Sequence, residues 1–237
     1  MTAQGVAKVD DRREAVTLTF ADQLFVPLPS GALYWPDEQT LLVADLHLEK
    51  MSSFVARGLF LPPYDSYATL RLVGRDVEAT GAKRLISLGD SFHRDTGTGT
   101  LPPDARALLD RLTKDVEWVW IAGNHDPAPH DLGGRCCGGL SIRDITLTHE
   151  PAAVHDRVIA GHLHPAARVY INGRSTRRPC FAADDRLLLM PAYGVSTGSI
   201  NILSDPFTGL LNRAALRVMM LGRDAVYPVS VRRLVRG

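Results

Sequence analysis

The sequence predicts a mixed α/β fold. Short apolar runs rich in β-branched and aromatic residues predict strands at 15–20, 32–35, 41–45, 85–90, 118–123, 145–149, 157–162 and 186–191. Two segments, 66–80 and 103–114, place apolar residues at helical spacing. Helices separate the early strands and short turns join the later ones, which favours a mixed sheet over a purely parallel one.

The two helices follow from side-chain spacing. Leu70, Val73 and Val77 share one face of the first segment, and a Pro-Asp pair at 103–104 marks the start of the second. The stretch 95–104 is polar and rich in glycine, threonine and proline, which predicts an exposed loop.

Length and composition favour one globular domain over residues 1–237, with 1–12 loosely held. The chain is 45% hydrophobic and 22% charged, which excludes disordered, collagen-like and coiled-coil chains. No apolar run approaches the roughly 18 residues that span a bilayer, so no membrane role is expected. The N-terminus lacks an apolar signal region, and three cysteines, two of them adjacent, form a poor disulfide framework. We therefore expect a cytoplasmic protein.

The charge balance gives little support to nucleic-acid binding through many backbone contacts. Lysine and arginine total 27 against 26 acidic residues, without the basic excess typical of proteins that follow a nucleic-acid backbone. The C-terminal segment 208–237 is locally basic. We interpret it as a solvated surface, with a nucleic-acid contact as the alternative.

Polar side chains that bind metals follow the predicted strands, where open α/β sheets present their functional loops. The residues concerned, in chain order, are Asp45, His47, Asp90, Asn124, His125, Asp126, His149, His162 and His164. Any one of these motifs alone is compatible with a turn or a helix cap. Because they recur in order, and five of the eight histidines belong to them, we predict a shared metal site.

The donor types narrow the choice of metal. Aspartate, asparagine and histidine without thiolate suit manganese, iron or zinc. With His125 and Asp126 set aside, seven ligands remain, whereas a structural zinc ion takes four. Two metal ions about 3.5–4 Å apart, sharing a carboxylate, would use all seven.

These motifs also resemble a known family. The order DLH, GD, GNHD, H and GHLH is similar to the calcineurin-like metallophosphoesterases, over about residues 31–207. Further motifs, GALYWP, LLVADLHLEK, LGDSFH, GNHDP, GHLHP, RPCF and PAYGVSTG, resemble one bacterial branch, the ligase-associated DNA damage response endonucleases. Ser199 departs from the glycine expected there. The resemblance implies a four-layer αββα fold, in which a two-sheet β-sandwich is flanked by helices.

The resemblance implies a role for each matching residue. One metal would be held by Asp45, His47 and His164, the other by Asn124, His149 and His162, and Asp90 would bridge them. Two divalent ions are expected, with Mn²⁺ first and Fe or Zn as alternatives. A water molecule bridging them would lose a proton and attack phosphorus. His125 would protonate the leaving group or clamp the phosphoryl oxygens.

Other residues have weaker signals. Asp126 would either orient His125 or cap a loop. Arg57 and His93 could touch a substrate oxygen or have only surface roles. We interpret Glu49 and Lys50 as solvated charges and Cys180 as a small buried hydrophobe. Tyr193 is our candidate for an aromatic platform at the rim of the site, whereas Trp118 and Trp120 belong to a core strand.

We therefore expect a metal-dependent phosphodiesterase, an endonuclease of DNA repair that acts on DNA with single-stranded or gapped character. The family resemblance adds functional association with an ATP-dependent DNA ligase and a helicase. One alternative is a phosphoesterase for small nucleotides, cyclic phosphodiesters or phosphomonoesters, which the near-neutral charge favours. The other is a catalytically silent interaction scaffold, against which the complete ligand set argues.

Overall fold

The computed structural model describes residues 16–51, 64–94, 97, 99–151, 156–171 and 173–236. Seven strands form a first sheet in chain order: β1 (Leu18–Phe20), β2 (Gln23–Pro27), β3 (Leu33–Trp35), β4 (Thr40–Val43), β5 (Arg84–Leu88), β6 (Glu117–Ile121) and β7 (Arg135–Cys137). Strands β1 to β4 form an antiparallel meander, and β4 to β7 run parallel. The parallel strands therefore present their carboxyl ends at one edge of the sheet.

The second sheet has nine strands: β8 (Leu140–Ile142), β9 (Ile145–Thr148), β10 (Val158–Ala160), β11 (Pro165–Ile171), β12 (Arg174–Ala183), β13 (Leu187–Leu189), β14 (Ile200–Asn201), β15 (Arg217–Leu221) and β16 (Val226–Val229). Their order is β14-β11-β12-β13-β10-β9-β8, and β15 joins β12 to β16. Strands β9, β10 and β13 are parallel. The chain leaves β9 and β10 at the same end of this sheet.

Two long helices within the described residues lie on the outer face of the first sheet. Helix α1 (Asp65–Thr80) ends at Gly81, whose φ of 66° turns the chain out of the helix. Helix α2 (Pro103–Asp115) begins with proline at its first position, where no backbone donor is needed. Their apolar faces join one hydrophobic cluster with that face of the sheet.

Alternation along the strands builds three apolar layers. In β4, Leu42 faces the core between the sheets, whereas Leu41 and Val43 face the helices. In β10, Ile159 faces the same central core, and its neighbours join a third cluster on the outer face of the second sheet. Within the described residues, a short 3-10 turn at Asp205–Phe207 and its adjoining loops cover that outer face.

The predicted fold class is confirmed as two mixed sheets with a helical layer. Each predicted strand and both helices overlap an observed element, α1 and α2 to within one residue at either end. The predicted loop at 95–104 is described only in part, and Gly97 within it is buried. The loosely held N-terminus stays a prediction, since residues 1–12 lie outside the described residues. The single domain also stays a prediction.

The structure also contains strands that sequence analysis missed. The long β11–β12 hairpin is the largest of them, and the β15–β16 hairpin occupies the segment noted only for its basic charge. In β11 and β12, arginines interrupt the apolar residues and hide the pattern that predicts a strand. Among the described residues, no helix is both long and apolar enough to cross a membrane.

Candidate metal centre

Loops at the carboxyl ends of parallel strands bring the predicted ligands together. Asp45 and His47 follow β4, Asp90 follows β5, and Asn124 follows β6 in the first sheet. The second sheet contributes His149 after β9, and His162 and His164 after β10. The loops after β4 and β5 stay paired, since the His47 amide donates to the Asp90 carbonyl at 2.9 Å and the Leu48 amide donates to Ser91 at 2.8 Å. The site therefore lies where the two sheets meet.

The first ligand group consists of Asp45, His47 and His164, whose donor atoms lie within 4.8 Å of one another. His164 Nε2 is 3.3 Å from Asp45 Oδ1 and 3.4 Å from His47 Nε2. Asp45 also accepts the backbone N–H of His162 at 3.0 Å. This carboxylate therefore ties the loop after β4 to the loop after β10.

The second ligand group consists of Asp90, His149 and His162, with the same spread of donor atoms. His149 Nε2 is 2.9 Å from Asn124 Oδ1, 3.2 Å from His162 Nδ1 and 3.3 Å from Asp90 Oδ1. Asn124 thus lies with the residues that the family resemblance assigns to the second metal.

Asp90 lies between the two groups. Its Oδ1 faces His149, and its Oδ2 is 3.8 Å from His47 Nε2 in the first group. This is the position that a bridging carboxylate requires. The backbone N–H of His125 donates to Oδ1 at 2.9 Å and fixes the carboxylate orientation.

The backbone around the ligands is strained. Five ligands adopt positive φ angles, Asp45 at 54°, His47 at 42°, Asp90 at 46°, His162 at 69° and His164 at 45°. Such angles are uncommon outside glycine and persist where surrounding structure enforces them. The strain lets consecutive loop residues direct their side chains into one small volume.

Two glycines allow the loops to approach this closely. A Cβ on Gly123 would lie 2.1 Å from the Asp90 amide nitrogen, and a Cβ on Gly89 would lie 2.4 Å from the His149 ring. Gly89 also has a φ of 73°. Any larger side chain at either position would displace a ligand.

Burial and the neighbouring charges shift the pKa values of three ligands. Burial lowers the pKa of His47 to about 3 despite the nearby Asp90, so this ring is neutral near pH 7. Burial opposes ionisation of Asp90, but hydrogen bonds from His149 and the His125 amide lower its pKa to about 2. Burial lowers the pKa of His149, and its contacts with Asp90 and Asp45 outweigh this and raise it to about 9.

The hydrogen bonds of His149 show where a cation fits. Its Nδ1–H donates to the Leu88 carbonyl at 2.9 Å, so Nε2 is the atom that faces the other ligands. Around Nε2 lie an amide oxygen and a carboxylate oxygen, both of them acceptors. Such an arrangement needs either a proton on Nε2 or a metal ion in its place. The donor set is the hard and borderline set that divalent manganese, iron and zinc accept.

His125 lies beside the ligands without joining either group. Its Nδ1–H donates to the His93 carbonyl at 3.1 Å, which directs Nε2 toward Asp90 Oδ2 at 3.9 Å. The side chain is 42% exposed, so it faces both the centre and solvent. The His93 ring stacks on the His125 ring at 5.4 Å and meets His47 edge-on at 5.8 Å. His93 thus positions its neighbours, a role that its sequence spacing did not reveal.

Asp126 acts as a loop cap, one of the two roles left open by the sequence. Its carboxylate accepts the backbone N–H of Gly123 at 3.1 Å and that of Phe92 at 3.0 Å. Burial, partly offset by these hydrogen bonds, raises its pKa to about 6. The His93 carbonyl, not Asp126, orients His125.

Two predictions about neighbouring residues are wrong. Tyr193 does not line the rim of the site: it is 2% exposed, and its hydroxyl donates to Asp76 at 2.9 Å. The apolar ring packs in the core between α1 and the first sheet, and the Asp76 carboxylate provides an acceptor for the hydroxyl. Glu49 is buried rather than solvated, with its carboxylate accepting from the Thr100 hydroxyl.

The remaining candidates have simpler outcomes. Cys180 is fully buried, as expected, and Trp118 and Trp120 lie in the core. The three cysteines are free thiols. Arg57 lies outside the described residues, so its contact with substrate stays a prediction.

Comparison with known proteins agrees with this geometry. Residues 39–141 match the profile of the calcineurin-like phosphoesterases. The structure is similar to the crystal structure of nuclease MPE from Pseudomonas putida, with a TM-score of 0.70, 29% sequence identity, and coverage of 90% of this chain and 99% of the other.

A second structure, the phosphoesterase Yfce from E. coli, gives a TM-score of 0.35 at 14% identity, with coverage of 83% of this chain and 96% of the other. This score is too low to support an argument. No curated protein sequence gives a significant match.

Proposed function

We propose that this metal-dependent phosphodiesterase, whose residues 39–141 match the calcineurin-like phosphoesterases, is a two-metal nuclease that cleaves DNA of single-stranded or gapped character. The observation that carries this proposal is a pair of ligand groups sharing Asp90. One group would consist of Asp45, His47 and His164. The other would consist of Asn124, His149, His162 and the shared Asp90.

The chemistry of the centre depends on charge and on water activation. Two divalent ions, with Mn²⁺ as our first choice, would activate a water nucleophile and neutralise the phosphate as negative charge develops. The carboxylates of Asp45 and Asp90 offset only part of that positive charge, which leaves the site selective for anionic substrates.

His125 provides the proton for the leaving oxygen. Its Nδ1–H is engaged by the His93 carbonyl, so the proton transferred is the one on Nε2, which faces the centre. For this the ring must start as imidazolium and end as neutral imidazole. The His125 amide, hydrogen-bonded to Asp90, keeps the ring and the carboxylate in a fixed relation.

An open site favours a polymeric substrate. The side chains of Asn124 and His125 are exposed at the end of the centre formed by the first sheet. This exposure, which holds among the described residues, allows a strand of nucleic acid to reach the centre. The structural similarity to a nuclease favours the same substrate class. A role in DNA repair, and association with an ATP-dependent DNA ligase and a helicase, belong to this proposal through the motif resemblance.

The test compares bis-p-nitrophenyl phosphate with p-nitrophenyl phosphate, using metal-stripped protein titrated with Mn²⁺, Zn²⁺ and Mg²⁺. We expect metal-dependent diesterase activity that exceeds monoesterase activity and collapses in His125→Ala. Cleavage of a circular single-stranded DNA then separates endonuclease from exonuclease action. A preference for the monoester would favour small phosphate esters as substrates. A metal-loaded protein that cleaves none of these substrates would refute the proposed enzyme.

A further inference from the structure

The β11–β12 hairpin concentrates positive charge next to the metal centre. Between residues 165 and 183 there are four arginines and no aspartate or glutamate. The arginines are Arg168, Arg174, Arg177 and Arg178. None of them pairs with a carboxylate in the described part of the chain, whereas arginines elsewhere in the fold commonly do. The charge of the hairpin is therefore uncompensated.

Strand register divides these arginines between two faces. Arg168 lies directly opposite Arg177, and Tyr170 lies opposite Ser175, so these four residues share one face. We call it the arginine face. Farther along β12 the same face carries Phe181, which packs in the core between the sheets. Arg174 and Arg178 alternate to the opposite face.

Neutral hydrogen bonds orient the two guanidinium groups of the arginine face. Arg168 donates to the Ser175 hydroxyl at 3.2 Å. Arg177 donates to the Ser199 hydroxyl at 2.9 Å and to the Ser199 carbonyl. Like charges directly across a strand pair are destabilising. Because serine oxygens hold the groups in place without cancelling their charge, the face is prepared for an anion from outside.

The arginine face begins at the metal centre. His164, a ligand in the first group, directly precedes β11. At roughly 3.3 Å per residue, Arg168 lies about 13 Å and Tyr170 about 20 Å along the strand from His164. Tyr170 is 63% exposed. This spacing leaves room for a few nucleotides between the centre and the tyrosine.

The C-terminal segment adds charge along the other edge of β11. The Val235 amide donates to the Arg168 carbonyl at 2.9 Å, and Leu234 forms a bridge with Val169. The exposed Arg233 and Arg236 therefore flank the same hairpin. The basic C-terminal segment thus adds positive charge beside the hairpin.

We propose that the arginine face binds the single strand of nucleic acid that extends from the metal centre. Arg168 and Arg177 contact successive phosphates, since guanidinium groups bind phosphate oxygens in pairs. Tyr170 stacks on an unpaired base, which favours a single strand over a duplex. This inference rests on the proposed nuclease function and adds the track along which the substrate lies.

The experiment measures binding of a fluorescent oligothymidylate by anisotropy over a range of salt concentrations. The holoprotein carries His125→Ala so that the strand stays intact. We expect Arg168→Gln with Arg177→Gln to weaken binding roughly tenfold, because two charge-assisted contacts are lost. The slope of log K against log salt should flatten by about 1.4, since each phosphate contact on a single strand contributes about 0.7.

Matched variants distinguish the effect of the arginine face from the effect of removing positive charge in general. Arg174→Gln with Arg178→Gln removes the same charge from the opposite face of the hairpin and should weaken binding far less. Tyr170→Ala should weaken binding, whereas Tyr170→Phe, which keeps the ring, should bind as the parent does. The affinity for a duplex of the same length should not change in Tyr170→Ala.

Activity on bis-p-nitrophenyl phosphate distinguishes failure of this inference from failure of the proposed function. When His125 is kept, the arginine-face variant Arg168→Gln with Arg177→Gln should hydrolyse the small diester as the wild type does. Equal losses of oligonucleotide binding from both arginine pairs would overturn the inference and leave the nuclease standing, as would no loss from either. Loss of small-diester hydrolysis in the arginine-face variant alone would also overturn it, by showing a structural role. A wild-type protein that hydrolyses neither the small diester nor the oligonucleotide would refute the proposed function itself.

Discussion

Substitution of Gly123 by alanine offers a sharp test of the metal-centre geometry. The added Cβ would lie 2.1 Å from the Asp90 amide nitrogen and 2.2 Å from Asp90 Oδ1. Ordinary contact begins at 3.4 Å, so the two loops must separate by about 1.3 Å. The new Cβ would clash with the backbone and with the carboxylate of Asp90, and neither group can move without disturbing the ligand.

The size of the effect follows from that displacement. A misplacement of about 1 Å can cost on the order of 100-fold in rate, so we expect at least that loss in kcat/KM for bis-p-nitrophenyl phosphate. Overpacking costs about 1–3 kcal/mol in the free energy of unfolding, which corresponds to a fall in Tm of roughly 2–4 °C per kcal/mol for a chain of this size. We also expect bound metal to decrease, because Asp90 lies between both ligand groups.

The assays are initial rates with saturating Mn²⁺, metal content by plasma mass spectrometry, and thermal unfolding. Gly138→Ala is the matched control, since a Cβ there meets nothing within 4 Å and should leave all three readouts close to wild type. A Gly123→Ala protein with wild-type rate and full metal content would refute the reasoning.

Three further predictions address the surrounding residues. His125→Ala should lower kcat by about 10²–10⁴ with metal content unchanged, because the ring lies beside both ligand groups without joining either; a loss of metal would contradict the assigned role. Tyr193→Phe should lower stability by about 1–2 kcal/mol, since Asp76 loses its buried donor, and should leave the rate on the small diester within about twofold of wild type; a large change in rate with unchanged Tm would contradict this. Removal of metal by chelation should abolish activity and lower Tm, with a loss of about 2.7 kcal/mol if the ion was present at 100 times its Kd; recovery on adding Mn²⁺ completes the test, and chelator-resistant activity would count against a metal centre.

The buried acids near the site show why stability and function are linked here. Asp126 holds two backbone amides of the loops that carry Asp90 and His125. Glu49 is buried two residues after His47 and is bonded to Thr100. These residues hold the ligand loops in strained conformations at the cost of burying charge. They are therefore part of the support of the site, although neither is in the ligand set.

The order of residues along the chain was enough to predict where the metal ligands lie. Asp45, Asp90, Asn124, His149 and His162 each follow an apolar run, and parallel strands place their carboxyl ends together. Local composition also determined both helices and the buried pair Trp118 and Trp120. These inferences succeed because side-chain alternation and helical spacing are properties of short segments.

The contacts that support the ligands, in contrast, depend on the folded chain. The His93 carbonyl that orients His125 lies 32 residues away in the chain, and the burial of Tyr193 depends on Asp76, 117 residues away. The arginine face exists because β11 and β12 pair in one register, which brings Arg168 opposite Arg177. A contact between distant segments depends on the register and packing of both. No local pattern contains that information, because side-chain direction is set only when the strands pair and the sheets meet.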